Sequence, residues 1–279
     1  MSDAEHAVRA VFFVSDHSGV TAETMGHSLL SQFQSRTFQA QTLPFITSAE
    51  KAREALAVIN AAAERTGTRP VIFSTLVREE ERTILKQARG LFLDFFDAFL
   101  GPLETELEQK SLHALGRAHG MIDLASYMQR IDATNFALAN DDGARSREFA
   151  RADLVLIGVS RTGKTPTCLY LALQYGVYAA NHPLTEEELE TLELPRALRV
   201  HRAKLFGLTI APERLEQIRS TRRPGSRYSS HQQVSFELRA AQQLYSRFTV
   251  PHIDTTSSSV EEIASRILQI TGVPRRLRP

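Results

Sequence analysis

The sequence has few of the features that would support a disulfide, a thiolate metal site or a polyanionic partner. It contains one cysteine, Cys168, so neither an internal disulfide nor a cluster of thiolate ligands can form within the chain. The formal net charge is +1, which gives no electrostatic reason to expect nucleic acid or a membrane surface as partner. Nine histidines are present, but none has the H-x-x-x-H or H-E-x-x-H spacing of zinc ligands.

Long apolar segments are also missing. No window of about 18 continuous apolar residues occurs, so no bilayer-spanning helix is predicted. Residues 1–6 lack the basic region and apolar core of a secretory signal. With 42% hydrophobic and 23% charged residues, the 279-residue chain is typical of a globular protein of one large or two ordinary domains. We therefore expect a cytoplasmic protein that binds neither nucleic acid nor membrane.

Apolar, β-rich runs alternate with segments of helical periodicity. Strands are predicted at 8–14, 39–46, 69–77, 153–159, 177–181, 204–210 and 248–254, and helices at 21–34, 48–65, 78–90, 103–118, 121–139, 166–176, 185–193, 212–222, 231–247 and 260–271. The run 91–99 fits either a buried strand or a short buried helix. This alternation implies parallel βαβ units and an α/β class.

One motif carries most of the functional information. Residues 158–165 match G-x-x-x-x-G-K-T, the P-loop pattern, between a predicted strand and a predicted helix. Its glycines let the backbone curl so that several N–H groups face one phosphate chain, and the positive end of the next helix adds to the attraction. The predicted nucleotide-binding residues are Gly158, Val159, Ser160, Arg161, Thr162, Gly163, Lys164 and Thr165.

Within the motif, three side chains have predicted roles. Lys164 would reach the terminal phosphates, and the Thr165 hydroxyl would bind Mg²⁺. Arg161 lies inside the loop and is therefore expected beside the phosphates. Lys164 and Arg161 are the predicted catalytic residues. Pro166 is tolerated in the first helical turn, and Cys168 is expected to be a small buried residue behind the loop.

The polar segment 140–146 is the predicted boundary between two domains. We expect an N-terminal α/β domain over 1–145 and a C-terminal P-loop kinase-like domain with a mainly parallel sheet over 146–279. The last predicted helix could begin with a capping box of Ser258 and Glu261. Ser259 and Glu262 fit the same pattern. No internal repeat is visible in the sequence.

A P-loop alone does not specify the reaction. The guanine-reading N-K-x-D element of GTPases is absent, because the chain has no Asn-Lys pair. The long apolar strand ending in Asp of motor and transporter ATPases is matched only weakly, by 249–254. The short length of the chain beyond the loop fits compact P-loop kinases better.

Three other groups of residues have open interpretations. Five arginines between 212 and 228 could form a lid over a transferring phosphoryl group or a solvated basic helix end: Arg214, Arg219, Arg222, Arg223 and Arg227. Asp254 could contact adenine or order Mg²⁺, or the Thr/Ser run after it could cap a helix. The turn 15–21 could be an anion site or a helix N-cap, but its adjacent side chains cannot form a hydrolytic triad.

Several segments together resemble the bacterial and plastid regulatory proteins of pyruvate-utilising dikinases. The similar segments are 12–16, 135–138, 141–143, 158–167, 169–172, 204–209, 218–219, 222–223, Tyr228 and 260–264. The runs 168–176 and 179–181 look more like the phosphoenolpyruvate synthase branch than the pyruvate, phosphate dikinase branch. The resemblance thus covers most of the chain.

The resemblance implies a bifunctional regulator of phosphoenolpyruvate synthase. With ADP as donor and Mg²⁺, such a protein phosphorylates a threonine of the target and inactivates it. With inorganic phosphate as co-substrate, it removes that phosphate and releases pyrophosphate. Carried over to this chain, residues 158–165 would hold the ADP phosphates, and a homodimer is expected. A P-loop kinase of a small metabolite and a non-catalytic nucleotide-sensing module are the alternatives.

Overall fold

The computed structural model describes residues 8–33, 37–111, 124–141 and 146–277. The chain divides into two compact units, Met1–Gly120 and Met121–Pro279. Each unit has a four-stranded sheet whose strands all pair in parallel, so the predicted α/β class is confirmed. Within the ranges just given, no helix combines the length and the apolar character needed to cross a membrane.

The first unit alternates strands and helices from its beginning. Its elements are β1 (Arg9–Val14), α1 (Val20–Leu30), β2 (Phe38–Leu43), α2 (Ala49–Thr66), β3 (Val71–Ser74), α3 (Glu79–Leu85), β4 (Leu91–Asp94) and α4 (Phe95–Glu106). The strand order in the sheet is β2-β1-β3-β4. The predicted helix 21–34 is shorter in the structure, because α1 buries only Ala22 and Gly26 and ends at Leu30.

The ambiguous run 91–99 contains a strand and then the start of a helix, but the predicted burial is wrong, since β4 is half-exposed and α4 buries only Phe95. The chain changes from strand to helix at Asp94, whose carboxylate accepts hydrogen bonds from the backbone N–H groups of Phe96 and Asp97, each at 2.9 Å. A side chain that caps in this way starts a helix wherever the strand pairing ends. Helix α4 ends at Glu106, so the predicted helix 103–118 is wrong over 107–111. Residues 112–118 of that prediction lie outside the described residues.

The second unit has a sheet of the same strand order, β6-β5-β7-β8. Its elements are α5 (Leu124–Ala139), β5 (Leu154–Gly158), α6 (Lys164–Tyr175), β6 (Ala179–Pro183), α7 (Glu186–Thr191), α8 (Arg196–Val200), β7 (Leu205–Thr209), α9 (Pro212–Arg222), α10 (His231–Arg247), β8 (His252–Asp254) and α11 (Val260–Thr271). Helix α8 has no counterpart in the sequence prediction. In both units the first strand of the sheet has the second on one side and the third on the other, a repeat of topology that is not visible in the residues.

Helix α5 explains why the units divide at 120/121 and not at the predicted 145/146. Its Ala133 and Ala137 are buried in one core cluster with Leu171 and Ala172 of α6. Helix α5 therefore belongs to the unit that contains the P-loop motif. Of the predicted linker 140–146, residues 142–145 lie outside the described part of the chain.

Strand β5 is buried on both faces. Val155 and Ile157 belong to the core cluster on one side of the sheet, and Leu154 and Leu156 belong to the cluster on the other side. A continuous apolar run is what a central parallel strand between two helical layers requires. The loop that follows β5 consequently begins at a fixed point at the carboxyl edge of the sheet.

Helix α11 gives a direct test of one cap. Ser259 Oγ accepts from the Glu262 N–H at 3.3 Å, and Glu262 Oε2 accepts from the Ser259 N–H at 2.9 Å, so the second of the two predicted capping boxes is the one formed. We expect Ser259→Ala to lower the free energy of unfolding by about 1 kcal/mol. The matched variant Ser258→Ala is expected to change it by less than about 0.5 kcal/mol. Urea denaturation measures both, and equal losses would contradict the assignment.

Candidate phosphate-binding site

The loop between β5 and α6 has the backbone geometry of an anion cradle. Gly163 has φ 92° and precedes the first turn of α6 in a left-handed conformation, which glycine adopts without strain. The backbone at Gly158 has no room for a side chain, because a Cβ there would lie 2.7 Å from the Leu208 carbonyl oxygen and 3.2 Å from the Tyr245 hydroxyl. The predicted strand and helix therefore flank the motif, and each motif glycine has its own structural cause.

The loop amides at 160–163 are unpaired within the part of the chain that the structure describes. Among the described residues, no hydrogen bond has the backbone N–H of residues 160–163 as its donor. These N–H groups precede the N-terminus of α6, a twelve-residue helix whose dipole is positive at that end. A run of unpaired amides at a helix N-terminus binds anions, phosphate above all.

Lys164 lies back over the loop. Its ammonium donates to the Val159 carbonyl oxygen at 2.8 Å, and its side chain is only 5% exposed. The Thr162 hydroxyl donates to the same carbonyl at 3.0 Å. The cation is therefore held directly against the curl of the loop.

Arg161 has an unusual backbone conformation, with φ 79°. A non-glycine residue in this left-handed region costs on the order of 1–3 kcal/mol and persists only where the surrounding structure imposes it. Its side chain is exposed at the mouth of the loop. The loop thus carries an exposed guanidinium beside its curl.

A cavity of about 440 Å³ opens beside the loop. Five of the predicted site residues line it, namely Ser160, Arg161, Gly163, Lys164 and Thr165, together with Asp141, Pro166 and Pro183. Its size falls within the range of small-molecule pockets. The other three predicted residues do not line it: Gly158 supplies close backbone packing, and the side chains of Val159 and Thr162 are buried.

Two residues that had no predicted role lie beside Thr165. The Thr165 hydroxyl donates to Asp141 Oδ1 at 2.8 Å, and the amide of Asn181 on β6 also donates to that oxygen. Asp141 lies two residues beyond the end of α5 at Ala139, so the packing of α5 on α6 brings the carboxylate to Thr165. Hydroxyl and carboxylate oxygens are the ligands that Mg²⁺ prefers. In the described ranges no three His, Cys, Asp or Glu side chains gather as a metal site, so substrate and water would have to complete the coordination.

Arg219, one of the five arginines of the predicted lid, is a buried brace for the loop. Its side chain is 0% exposed, and its guanidinium donates to the Ser160 carbonyl at 3.1 Å and to Glu237 Oε2 at 2.6 Å. It also donates to the Tyr228 carbonyl at 3.0 Å and stacks on that ring with 4.2 Å between guanidinium carbon and ring centroid. Tyr228 in turn donates from its hydroxyl to Ser160 Oγ at 2.9 Å.

The five arginines of the predicted lid therefore do not form one group, because their partners differ. Arg214 bonds to Gln217 on its own helix, and Arg227 pairs with Glu186 at 2.8 Å. Arg222 and Arg223 face Arg161 across a second cavity. The alternative of a uniformly solvated helix end is wrong for Arg219.

The end of β8 lies beside the loop, as the parallel sheet predicted. The Thr255 hydroxyl donates to the Thr209 carbonyl at 3.0 Å and lies 3.3 Å from the Thr162 carbonyl. Asp254 accepts from the Thr256 N–H at 2.7 Å, a local turn contact. The carboxylate that meets Thr165 is Asp141, so nothing in the geometry favours Asp254 as a magnesium ligand.

Two buried side chains close to the loop, the Cys168 thiol and the Tyr245 phenol, are in their neutral forms. Burial raises the pKa of the Cys168 thiol, and the nearby Asp141 carboxylate raises it further, so Cys168 is the small buried residue that we predicted and not a nucleophile. Burial likewise raises the pKa of the Tyr245 phenol. Its hydroxyl can therefore donate to the carbonyls of Ile157 and Leu208, at 3.2 and 3.1 Å, directly beneath the loop.

The other candidate anion site, the turn 15–21, is surrounded by different groups. Gly19 in this turn is the N-cap of α1, so the predicted helix N-cap is confirmed, although no side chain caps the helix. The buried Asp16 accepts from the Val77 N–H at 3.0 Å and contacts His17 at 2.9 Å. A buried carboxylate in the turn opposes the binding of an anion there.

Comparisons with known proteins agree on one family. The kinase/pyrophosphorylase family model matches residues 11–268. A protein of Pseudomonas fluorescens named "Putative phosphoenolpyruvate synthase regulatory protein" is 53% identical over 97% of this chain and 99% of its own length. Relatives of the same name in Stutzerimonas stutzeri and Alcanivorax borkumensis are also 53% identical, with the same coverage.

Structural comparison adds nothing to this result. The crystal structure of a LacI transcriptional regulator from Lactobacillus brevis aligns over 88% of the chain with 9% identity and a TM-score of 0.22, which is too low to support an argument. The sequence matches, by contrast, extend over nearly all of this chain and of the relatives. The chain belongs to the kinase/pyrophosphorylase family.

Proposed function

We propose that this protein is a bifunctional regulator of phosphoenolpyruvate synthase. It would phosphorylate a threonine of that enzyme with ADP and remove the phosphate with inorganic phosphate. The name of the relatives and the family description support this proposal. The observation that carries it is the free run of loop amides at 160–163 with the Lys164 ammonium folded over the same curl.

The phosphate groups of ADP would lie along the loop. The N–H groups of 160–163 would donate to the phosphate oxygens, and Lys164 and Arg161 would balance charge that spreads over the transferring group. The positive end of α6 adds a fixed dipole. The loop backbone, the start of α6 and the Lys164 ammonium are held by the fold before the nucleotide arrives, so they need little reorganisation.

In the forward direction, the threonine oxygen attacks the β-phosphorus of ADP. The bond between that phosphorus and the bridging oxygen breaks, AMP leaves, and the threonine proton is released. In the reverse direction, an oxygen of inorganic phosphate attacks the phosphothreonine phosphorus, the bond to the threonine oxygen breaks, and pyrophosphate leaves. The threonine oxygen recovers a proton. Both directions move one phosphoryl group past one loop, so we propose that a single cradle serves both.

Thr165 and Asp141 would hold Mg²⁺, which neutralises charge on phosphate oxygens during such transfers. Their oxygens already lie 2.8 Å apart on the cavity wall. Asn181 would keep the Asp141 carboxylate in place through its amide. The fit is one of ligand chemistry, since a hydroxyl and a carboxylate lie next to each other at the cavity wall.

Asp141→Asn tests that assignment. We expect the Mg²⁺ concentration for half-maximal activity to rise by about 10–100-fold, because the variant keeps the shape but loses the charged ligand. The affinity for ADP without Mg²⁺ should change little. Activity titrations with MgCl₂ give the first value and calorimetry in EDTA the second. An unchanged magnesium requirement would assign the metal to other residues.

The proposed activity is tested with purified phosphoenolpyruvate synthase. Incubation with ADP and Mg²⁺ should add one phosphate to a threonine of the target and yield AMP, and later addition of inorganic phosphate should remove it and yield pyrophosphate. Mass spectrometry of target peptides and nucleotide chromatography follow both steps. Transfer to a small metabolite but not to the protein would contradict the proposal, as would tight ADP binding without any transfer.

A further inference from the structure

A second cavity, of about 330 Å³, lies on another side of the loop. Its lining residues are Ser160, Arg161, Arg222, Arg223 and Tyr228. Ser160 and Arg161 also line the larger cavity beside Lys164, so the two cavities meet at these loop residues. We call the second one the arginine cavity.

The arginine cavity is rich in positive charge. Its lining, as far as the structure describes the chain, includes three guanidiniums and no carboxylate. Within the described ranges, the side chains of Arg161, Arg222 and Arg223 make no hydrogen bond and no ion pair. The neighbouring arginines are different, since Arg219 pairs with Glu237 and Arg227 with Glu186. Three unpaired guanidiniums around one space attract an anion with several oxygens.

The walls of the arginine cavity are fixed to the loop. The Tyr228 hydroxyl donates to Ser160 Oγ at 2.9 Å. The Arg223 N–H donates to the Arg219 carbonyl at 3.0 Å, and the hydroxyls of Ser226 and Ser229 donate to the Arg223 carbonyl. Because Arg219 itself bonds to the Ser160 carbonyl, the backbone that carries Arg222 and Arg223 is tied to the P-loop. The backbone that carries these exposed guanidiniums is therefore fixed relative to the P-loop, which keeps them around one space.

We infer that the arginine cavity is a second phosphate-binding site, which takes a tetrahedral phosphate dianion in addition to the one on the P-loop. The inference rests on the proposed function, whose reverse direction must bring two phosphate groups together. One of them occupies the P-loop, and the arginine cavity is the adjoining cationic space. The dianion could be carried by the phosphothreonine of the target or be free inorganic phosphate, and one experiment separates the two.

The experiment is calorimetry on the full chain with its P-loop saturated by ADP and Mg²⁺. The titrants are phosphothreonine amide, inorganic phosphate and, as a neutral control, threonine amide. Wild type should bind a phosphate titrant, and the double variant Arg222→Gln/Arg223→Gln should bind it at least about 10-fold more weakly. Arg214→Gln is the matched control, because Arg214 lies on the same helix outside the cavity, and it should bind within about 2-fold of wild type.

The relative affinities of the titrants identify the source of the phosphate. Tighter binding of phosphothreonine amide than of inorganic phosphate assigns the site to the target segment, and the opposite order assigns it to free phosphate. Arg222→Lys/Arg223→Lys keeps the charge and should recover part of the binding. Binding of neither phosphate titrant by wild type would overturn the inference, as would equal binding by the double glutamine variant.

The same samples distinguish this inference from the proposed function. The affinity of the double glutamine variant for ADP should stay close to that of wild type, because neither arginine lines the larger cavity. If wild type transfers no phosphoryl group, the proposed function fails, while the titration still reports on the arginine cavity. If ADP itself does not bind, the phosphate titrants are added without nucleotide. Weaker binding by the double glutamine variant than by Arg214→Gln then supports the arginine cavity, and equal binding overturns the inference.

Discussion

Lys164→Ala is expected to lower kcat by about 10²–10³-fold in both the ADP-dependent and the phosphate-dependent direction. Among the described residues, Lys164 is the only lysine that lines the cavity of about 440 Å³ beside the loop, and its ammonium is held 2.8 Å from a loop carbonyl. Its removal takes away charge that stabilises the transferring phosphoryl group more than it stabilises either ground state. Single-turnover transfer to phosphoenolpyruvate synthase and pyrophosphate release measure the two directions.

Lys204→Ala is the matched control for this variant. Lys204 is a second partly buried lysine that donates to backbone carbonyls, those of Ala150 and Ala152, each at 2.7 Å, but it does not line the larger cavity. Its loss should lower the free energy of unfolding by about 1–3 kcal/mol and leave kcat unchanged below the unfolding transition. If Lys164→Ala keeps the reverse reaction at the wild-type rate, the two directions do not share one cradle.

Arg219→Met is expected to lower the free energy of unfolding by about 3–5 kcal/mol and kcat/KM by about 10²-fold. The stability falls because Glu237, only 13% exposed, is left without its 2.6 Å ion-pair partner. The activity falls for a different reason, since the Ser160 carbonyl loses a donor and the loop loses its brace. Denaturant titration and steady-state kinetics measure the two effects.

A second substitution separates these two effects. In Arg219→Met/Glu237→Gln the uncompensated buried charge is gone, so part of the stability should return. The kcat/KM should not return, because the Ser160 carbonyl still lacks its donor. Arg214→Met, a replacement on the exposed side of the same helix, should leave both values near wild type. Recovery of activity together with stability would mean that Arg219 acts only through the fold.

The elements that local chemistry determines were predictable from the sequence. Strand β5 is a continuous apolar run that ends in glycine, and it leads into the loop and helix that the motif requires. The predicted bounds 212–222, 231–247 and 260–271 are confirmed by α9, α10 and α11, whose first turns begin with Pro212, after Ser230 and after Ser259. For α10 and α11 the cap residue and the apolar period indicate the same boundary, whereas for α9 the proline at its first position marks the start.

Features that depend on distant packing were not predictable in the same way. Helix α8 has only five residues, too few to show a period. The contact between Asp141 and Thr165 requires α5 to pack on α6, which no local pattern reports. The burial of Arg219 depends on Glu237, Tyr228 and the loop together, and a single sequence gives an arginine no sign of such partners.

A crystal structure of the protein with ADP and Mg²⁺ would show whether residues 158–165 wrap the diphosphate of the nucleotide. We expect the phosphate oxygens within hydrogen-bond distance of the amides of 160–163 and the Lys164 ammonium in contact with phosphate. We also expect Thr165 and Asp141 to be the protein ligands of Mg²⁺. A nucleotide bound elsewhere at saturating ADP, with the loop amides free of phosphate, would show that this loop is not the nucleotide site.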